Sequence, residues 1–221
     1  GMHLAPEFGC TIEAIERDSF TIAARVDSLL ASNSEVGVCK SVGLGVIGFA
    51  DAFARLAPDI VVVLGDRYEV FAAAQSAMLC NIPIAHIHGG EVTQGAIDDA
   101  IRHAITKMAH FHFVASEPYA RRVIRMGESP DRVWTVGAPA LDNISRLKLL
   151  SAETLAADVG LPSTGPLFLV TYHPVTRSRV PVDAAMHALQ QALDQFPDAR
   201  VLITKANADT QGARVNSLWE T

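Results

Sequence analysis

Short apolar runs alternate with longer amphipathic stretches along the chain from residue 58 onward. Runs of four or five apolar residues are typical of strands buried in a parallel sheet, and the stretches between them suit crossover helices. The predicted strands are Ile60–Leu64, Ile84–Ile87, Phe111–Val114, Val133–Val136, Leu167–Thr171 and Val201–Ile203. The predicted helices cover about 68–80, 95–108, 117–127, 139–150, 180–195 and 207–219. This order predicts an α/β fold with a Rossmann-like parallel sheet.

The part of the chain before residue 58 gives a weaker pattern. Apolar residues recur at helical spacing over about 34–57, and Pro58 ends the predicted helix. Residues 10–30 fit a strand and a helix equally well, so their structure stays open. The run Gly43-Leu-Gly45-Val-Ile-Gly48 imitates a dinucleotide-binding fingerprint, but no good strand precedes it. We therefore expect these glycines to allow close packing of the helix.

A break in the rhythm predicts two domains. The stretch Leu161–Pro166 holds two prolines and a glycine, and a fresh strand-helix-strand unit follows it. We place one Rossmann-like domain at 1–160 and the start of a second, nucleotide-binding one at 161–221. Because no strand opens the first domain and the second has only two predicted strands, we expect an incomplete copy of a longer fold. Apolar surface left bare would make such a chain associate.

The composition argues against a protein that binds nucleic acid or a membrane. The formal net charge is −6 and the pI is about 5.7, so the chain lacks the excess of Lys and Arg that nucleic acid or an anionic membrane requires. No apolar run approaches about 20 residues and no signal peptide is recognisable, which favours a cytoplasmic protein. Cys10, Cys39 and Cys80 have no paired spacing and sit in or beside apolar stretches, so we expect buried, reduced thiols.

Polar residues follow three of the predicted strands. Asp66-Arg67 follows the first strand, His88-Gly-Gly-Glu91 the second, and Tyr172-His173 the fifth. Ligands of open parallel sheets bind beyond the carboxyl ends of the strands, so these residues are candidates for a site. The Asp66 carboxylate could act as a base and the Arg67 guanidinium could bind phosphate. A structural ion pair or a helix cap explains the same two residues and stays open.

Two further patterns have competing explanations. Asp98 and Arg102 stand four residues apart on a predicted helix, where an intrahelical ion pair is the ordinary reading. Several histidines lie between His86 and His112, and with Glu91 they could suggest a metal site. The spacing H-E-x-x-H is absent, so we expect no metal.

Three motifs in series resemble those of hydrolysing UDP-N-acetylglucosamine 2-epimerases of the bacterial sialic and legionaminic acid type. They are Leu64–Glu69, Ile84–Glu91 and Gly95–Lys107. The similarity continues through Val136–Pro139, Leu141–Asn143, Tyr172–Thr176 and Ala206–Asp209. The ordered series covers nearly the whole chain. The family's opening strand with its Gly-Thr-Arg turn, and its later serine-rich loop, have no counterpart here.

The resemblance implies an architecture and a reaction. Family members have two Rossmann-like domains arranged as in glycosyltransferases of the B type, with the nucleotide sugar held between them. The implied reaction removes the sugar C2 proton with loss of UDP, and water then adds to the glycal to give N-acetylmannosamine or a related free sugar. It requires no cofactor. The UDP-sugar is the expected ligand, and a homo-oligomer is expected at full length.

The resemblance also assigns roles by position. Asp66 and Asp98 match the family's carboxylates at the sugar, and His173 matches its histidine. His88 stands where the animal enzymes carry a glutamate, so it is a fourth candidate for proton transfer. The expected substrate-binding residues are Arg67, Glu91, Arg102, Asn207 and Asp209. Which carboxylate takes the C2 proton stays open.

Other functions compete with this one. A non-hydrolysing epimerase would keep UDP attached, but the segments Ile87–Glu91 and Ala96–Ala100 favour the hydrolysing branch. A chain of this length could also bind its ligand and catalyse nothing. The physiological sugar is either UDP-N-acetylglucosamine or a 2,4-diacetamido relative.

Overall fold

The computed structural model describes residues 1–32, 34–161, 165–175, 178, 180–207 and 210–220. The chain divides into two compact units, Gly1–Pro139 and Ala140–Thr221. The segment after Pro139 thus groups with the second unit. The predicted domain boundary lies some twenty residues further on, in a stretch that is partly outside the described residues, and it stays a prediction.

The first unit is built on a parallel sheet of four strands in the order β1-β2-β3-β4. The strands are β1 (Val61–Leu64), β2 (Ile84–Ile87), β3 (Phe111–Val114) and β4 (Val133–Thr135). Val63 lies beside His86, and His86 lies beside His112, so the carboxyl ends of β1 and β2 meet at one edge. The predicted α/β class is confirmed, with strand ends within one residue of their predicted places.

The described residues of the first unit also form five helices. They are α1 (Ile12–Arg17), α2 (Glu35–Leu56), α3 (Tyr68–Leu79), α4 (Ile97–Met108) and α5 (Glu117–Arg125), with short 3-10 turns at Met2–Leu4, Pro6–Phe8 and Pro130–Arg132. The ambiguous residues 10–30 form α1 and then continue without a helix or strand from residue 20. The apolar core joins β1 and β2 to α3 and α4 through Val63, Ile84 and Ile105.

Helices α2 and α3 pack closely. A Cβ at Gly45 would lie 2.9 Å from the Cβ of Ala72, and the Ser76 hydroxyl donates to the Val46 carbonyl at 3.0 Å. At Gly48 a Cβ would lie 2.7 Å from Val26, which confirms close packing at these two glycines. Helix α2 is also long and apolar enough to cross a membrane, by length and composition alone. Core helices of soluble proteins share this property, which was not predicted from the sequence.

The second unit has a two-stranded parallel sheet, β5 (Leu167–Thr171) beside β6 (Arg200–Thr204). Its helices are α6 (Ala140–Arg146), α7 (Ala152–Asp158), α8 (Val182–Leu193) and α9 (Gly212–Trp219). Met186, Ala206 and Val215 form its buried core.

The helix predictions were less accurate in the second unit. The helix expected over 207–219 begins at Gly212. The helix expected over 139–150 stops at Arg146, and α7 was not predicted. The Ser151 hydroxyl accepts the Thr154 amide at 3.2 Å, so a side-chain cap starts this short helix.

The prediction of buried thiols was wrong. Cys39 and Cys80 are exposed and Cys10 is half-buried, although all three are free as expected. Cys39 lies on α2 and Cys80 directly follows α3, where an apolar neighbourhood in sequence does not mean a buried position.

Candidate active site

The turn after β1 places Asp66 at the carboxyl edge of the sheet. Gly65 has a φ of +80°, in the left-handed region, and its amide donates to the Ile87 carbonyl at 3.0 Å. Only glycine adopts this conformation without strain. Gly65 thus allows the turn through which Asp66 leads into α3. The turn is therefore tied to both β1 and β2.

Asp66 is held by an ion pair that crosses from the sheet to a helix. Arg102 of α4 donates through Nη2 to Asp66 Oδ2 and through Nη1 to Thr93 Oγ1 at 3.1 Å. Arg102 is buried, and burial raises the pKa of the Asp66 carboxyl above its ordinary value. The Arg102 charge opposes this shift, and the nearby Glu91 carboxylate adds to it.

His86 of β2 holds this turn through a hydrogen bond. It is fully buried in β2, and its Nε2 lies 2.8 Å from the Gly65 carbonyl. A carbonyl only accepts, so Nε2 carries the proton. Burial lowers the pKa of His86 to about 4, and the ring is therefore neutral near pH 7. Sequence reasoning considered His86 only as a metal ligand; the signal it missed was a histidine inside an otherwise apolar strand.

The second strand end presents His88 and Glu91. His88 Nδ1 lies 2.5 Å from Glu91 Oε1, and about a quarter of each side chain is exposed. The His88 backbone has a φ of +66°, and its amide donates to the Phe113 carbonyl at 3.0 Å. An imidazole and a carboxylate are thus paired at a strand end with a fixed main chain.

The loop between these two residues is anchored on α5. Arg122 Nη1 donates to the Gly90 carbonyl. Gly90 has a φ of +77°, and a Cβ there would lie 2.6 Å from the Tyr119 carbonyl oxygen. The loop passes so close to α5 that only glycine fits.

The remaining candidates of the first unit lie nearby in sequence. Asp98 is half-buried in the first turn of α4, and its neighbour Asp99 accepts the Thr93 amide at 2.8 Å. Arg67 precedes α3 and donates from Nε to Glu69 Oε2 at 3.2 Å. The sequence suggested pairing Asp66 with Arg67 and Asp98 with Arg102. The structure shows an ion pair between Asp66 and Arg102, which was not predicted.

The candidates of the second unit follow its strands. His173 is exposed after β5, and Asn207 is half-buried after β6. Asn216 of α9 brackets the latter loop, accepting the Ala206 amide at 2.7 Å and donating to its carbonyl at 3.1 Å. Asp209 lies outside the described residues.

The described residues do not form a metal centre. No group of three or more His, Cys, Asp or Glu side chains lies together among them in a way that could hold an ion. What the first unit does assemble is two carboxylates, an imidazole and an arginine around the ends of β1 and β2. Such a set can move protons and bind oxygen atoms of a ligand.

Two curated proteins are similar to this chain in sequence. The chain is 41% identical over 220 residues to the GDP/UDP-N,N'-diacetylbacillosamine 2-epimerase (hydrolyzing) of Campylobacter jejuni, covering 100% of this chain and 57% of that protein. It is 36% identical over 212 residues to the UDP-N,N'-diacetylbacillosamine 2-epimerase (hydrolyzing) of Legionella pneumophila, covering 96% and 56%. It therefore spans little more than half the length of these relatives.

A solved structure has the same fold. The Methanocaldococcus jannaschii UDP-GlcNAc 2-epimerase, in complex with UDP-GlcNAc and UDP, superposes with a TM-score of 0.69 at 15% identity over 93% of this chain and 57% of that one. All residues from 1 to 221 match the family described as UDP-N-acetylglucosamine 2-epimerase. The chain belongs to the UDP-N-acetylglucosamine 2-epimerase family.

Proposed function

We propose that this protein is a hydrolysing 2-epimerase that converts a UDP-2-acetamido sugar into UDP and a free sugar epimerised at C2. The observation that carries the proposal is the cluster at the ends of β1 and β2, where the Asp66–Arg102 pair lies near the His88–Glu91 pair. Family membership supplies the reaction class, and the cluster supplies groups able to perform it.

The first half of the reaction is an elimination. A base takes the C2 proton, the C2–H electron pair forms the C1–C2 double bond, and the C1–O bond breaks to release UDP. Asp66 suits the role of base because its pKa is raised by burial, which strengthens the carboxylate as a proton acceptor. Asp98 is the second candidate, being half-buried at the start of α4.

The second half of the reaction is hydration of the glycal. Water adds its oxygen to C1, and C2 receives a proton on the face opposite to the one that lost it. Inversion at C2 thus calls for a second proton-handling group, and we assign His88 to it. His173 is proposed as a further proton-transfer residue. Arg67, Asn207 and Asp209 are proposed to bind the substrate, with Arg67 at the diphosphate and Arg102 holding Asp66 in place.

The substrate carries an acetamido group at C2. The names of the two curated relatives favour UDP-N,N'-diacetylbacillosamine, a 2,4-diacetamido sugar, as the first substrate to test, with UDP-N-acetylglucosamine as the second. We further propose that the protein works in the cytoplasm, as a homo-oligomer when it has the length of its relatives, and that its second domain begins at residue 161.

Product analysis tests the proposal. Each UDP-sugar is incubated with this chain and with a version extended to the length of its relatives, and the products are separated by anion exchange. Equal amounts of UDP and free sugar support the hydrolysing reaction. An epimerised sugar still attached to UDP would instead identify a non-hydrolysing epimerase.

A binding-only role is the second candidate, because the chain spans little more than half of its relatives' length. It predicts that UDP binds measurably by calorimetry while no product forms with either substrate. Turnover by the 221-residue chain alone would exclude it.

A further inference from the structure

His88 is held in a backbone conformation that most residues avoid. Its φ of +66° lies in the left-handed region, which is unfavourable for a residue with a Cβ atom. The hydrogen bond that the His88 amide donates to the Phe113 carbonyl of β3 keeps the main chain in this conformation. Such strain persists where the surrounding structure imposes it, and it is concentrated at functional sites.

The contact with Glu91 determines which ring nitrogen carries the proton. The carboxylate accepts and cannot donate, so the short contact of 2.5 Å requires a proton on Nδ1. In the neutral ring this leaves Nε2 with its lone pair. Nε2 is thus the atom that can exchange a proton with a ligand.

Glu91 is itself placed by the fold. Its loop is anchored through the Arg122 contact to the Gly90 carbonyl. Of the charged groups nearby, Asp66 interacts electrostatically with Glu91, and Arg102 is paired with Asp66. The Arg102 charge is thus engaged with Asp66, and the carboxylate of Glu91 is engaged with the imidazole.

We infer that Glu91 is a positioning residue: its carboxylate holds His88 as the Nδ1-protonated tautomer and so prepares Nε2 to transfer the proton at the sugar. This replaces the substrate-binding role expected for Glu91 from the sequence. The transfer of a proton at the sugar rests on the proposed function, whereas the tautomer is a property of the chain without ligand. The same division of labour, with a carboxylate that orients an imidazole, operates in hydrolytic triads.

The tautomer is measured by long-range proton–nitrogen NMR on the chain with ring-labelled histidine at mildly alkaline pH. His88 is identified by the signals that disappear in His88→Asn, since asparagine tolerates the left-handed conformation. We expect an Nδ1-protonated ring in the wild type and in Glu117→Ala, a control that removes an exposed carboxylate from α5. Glu91→Ala should shift the ring to the Nε2-protonated form that free histidine prefers.

Glu91→Gln is the second variant, because it keeps the shape of the side chain. Its amide accepts more weakly and can also donate to the ring, so a mixture of tautomers is expected. If both variants retain the wild-type nitrogen signals, the inference is wrong whatever the enzyme assay gives.

Kinetics with the active UDP-sugar provide the second readout. Loss of the orienting carboxylate should lower kcat about 100-fold in Glu91→Ala, with a smaller loss in Glu91→Gln and KM nearly unchanged. A rise in KM with an unchanged kcat would show that Glu91 binds substrate and would overturn the inference. A failure of every UDP-sugar to react would contradict the proposed function, while the NMR result would still decide the tautomer.

Discussion

Single side chains at the ends of β1 and β2 divide the work between chemistry and support. Partial burial raises the pKa of the Asp66 carboxyl. The charge of its buried ion-pair partner, Arg102, opposes this shift. His86 is neutral and buried beneath it, and bonds to the Gly65 carbonyl. We therefore expect Asp66 to act by accepting a proton and His86 to act by holding the turn in place.

Asp66→Asn should abolish most of the turnover. The amide keeps the size of the side chain and can still accept from Arg102, but it cannot take a proton, so kcat should fall by a factor of about 100 to 10,000. Steady-state kinetics measure the loss, and Asp59→Asn, which alters an exposed carboxylate before β1, is the matched control. Wild-type kcat in Asp66→Asn would exclude this residue as the base.

His86 should make stability depend on pH. The unfolded chain protonates this histidine near its ordinary value of 6.5, whereas the folded protein protonates it only near 4. Protonation therefore favours the unfolded state between these values, and about 3 kcal/mol of stability should be lost as the pH falls from 6.5 to 4.

Urea unfolding at several pH values measures this loss. The free energy of unfolding should fall less steeply with decreasing pH in His86→Gln than in the wild type. His187→Gln, at an exposed position, should follow the wild type. Parallel curves for the wild type and His86→Gln would contradict the assignment of the shift to burial.

At the scale of elements, the apolar runs predicted the strands well because a strand covered on both faces needs apolar residues at successive positions. The helices were less well predicted in the second unit, where α7 is a short helix started by the Ser151 cap. Asp66 and Arg102 are 36 residues apart in sequence, and only the parallel register of β1 and β2 with α4 brings them together. Local patterns carry no information about that pairing.

Gly90→Ala should destabilise the loop between β2 and α4. The new Cβ would collide with the Tyr119 carbonyl, and the alanine would be held in a left-handed backbone conformation. We therefore expect a loss of about 2–4 kcal/mol in the free energy of unfolding. Gly43→Ala is the control: it lies within α2 with open space around its Cα, and should stabilise by about 0.5–1 kcal/mol. Equal effects of the two changes would contradict the close approach of the loop to α5.

At the scale of the whole molecule, apolar surface remains exposed on the described part of the chain. Val62 and Leu64, on one face of β1, are 61% and 56% exposed, and β1 is at the edge of its sheet. Ile47 on α2 is also exposed. A bare sheet edge with apolar side chains is a site for association.

The chain should therefore self-associate through β1. Sedimentation velocity should give species larger than a monomer, and Val62→Thr with Leu64→Thr should reduce them. Leu149→Thr, which removes a leucine of the second unit that is 76% exposed, should not. A wild-type chain that sediments as a monomer at all concentrations would contradict this expectation.

Deuterium incorporation at C2 tests the central claim most directly. The chain and the version extended to its relatives' length are incubated with each UDP-sugar in deuterated water, and proton NMR follows the C2 signal. The account predicts release of UDP with a free sugar that carries deuterium at C2, and loss of this exchange in Asp66→Asn. A free sugar that keeps its original C2 proton, or full exchange in that variant, would contradict the proposal that Asp66 takes the C2 proton.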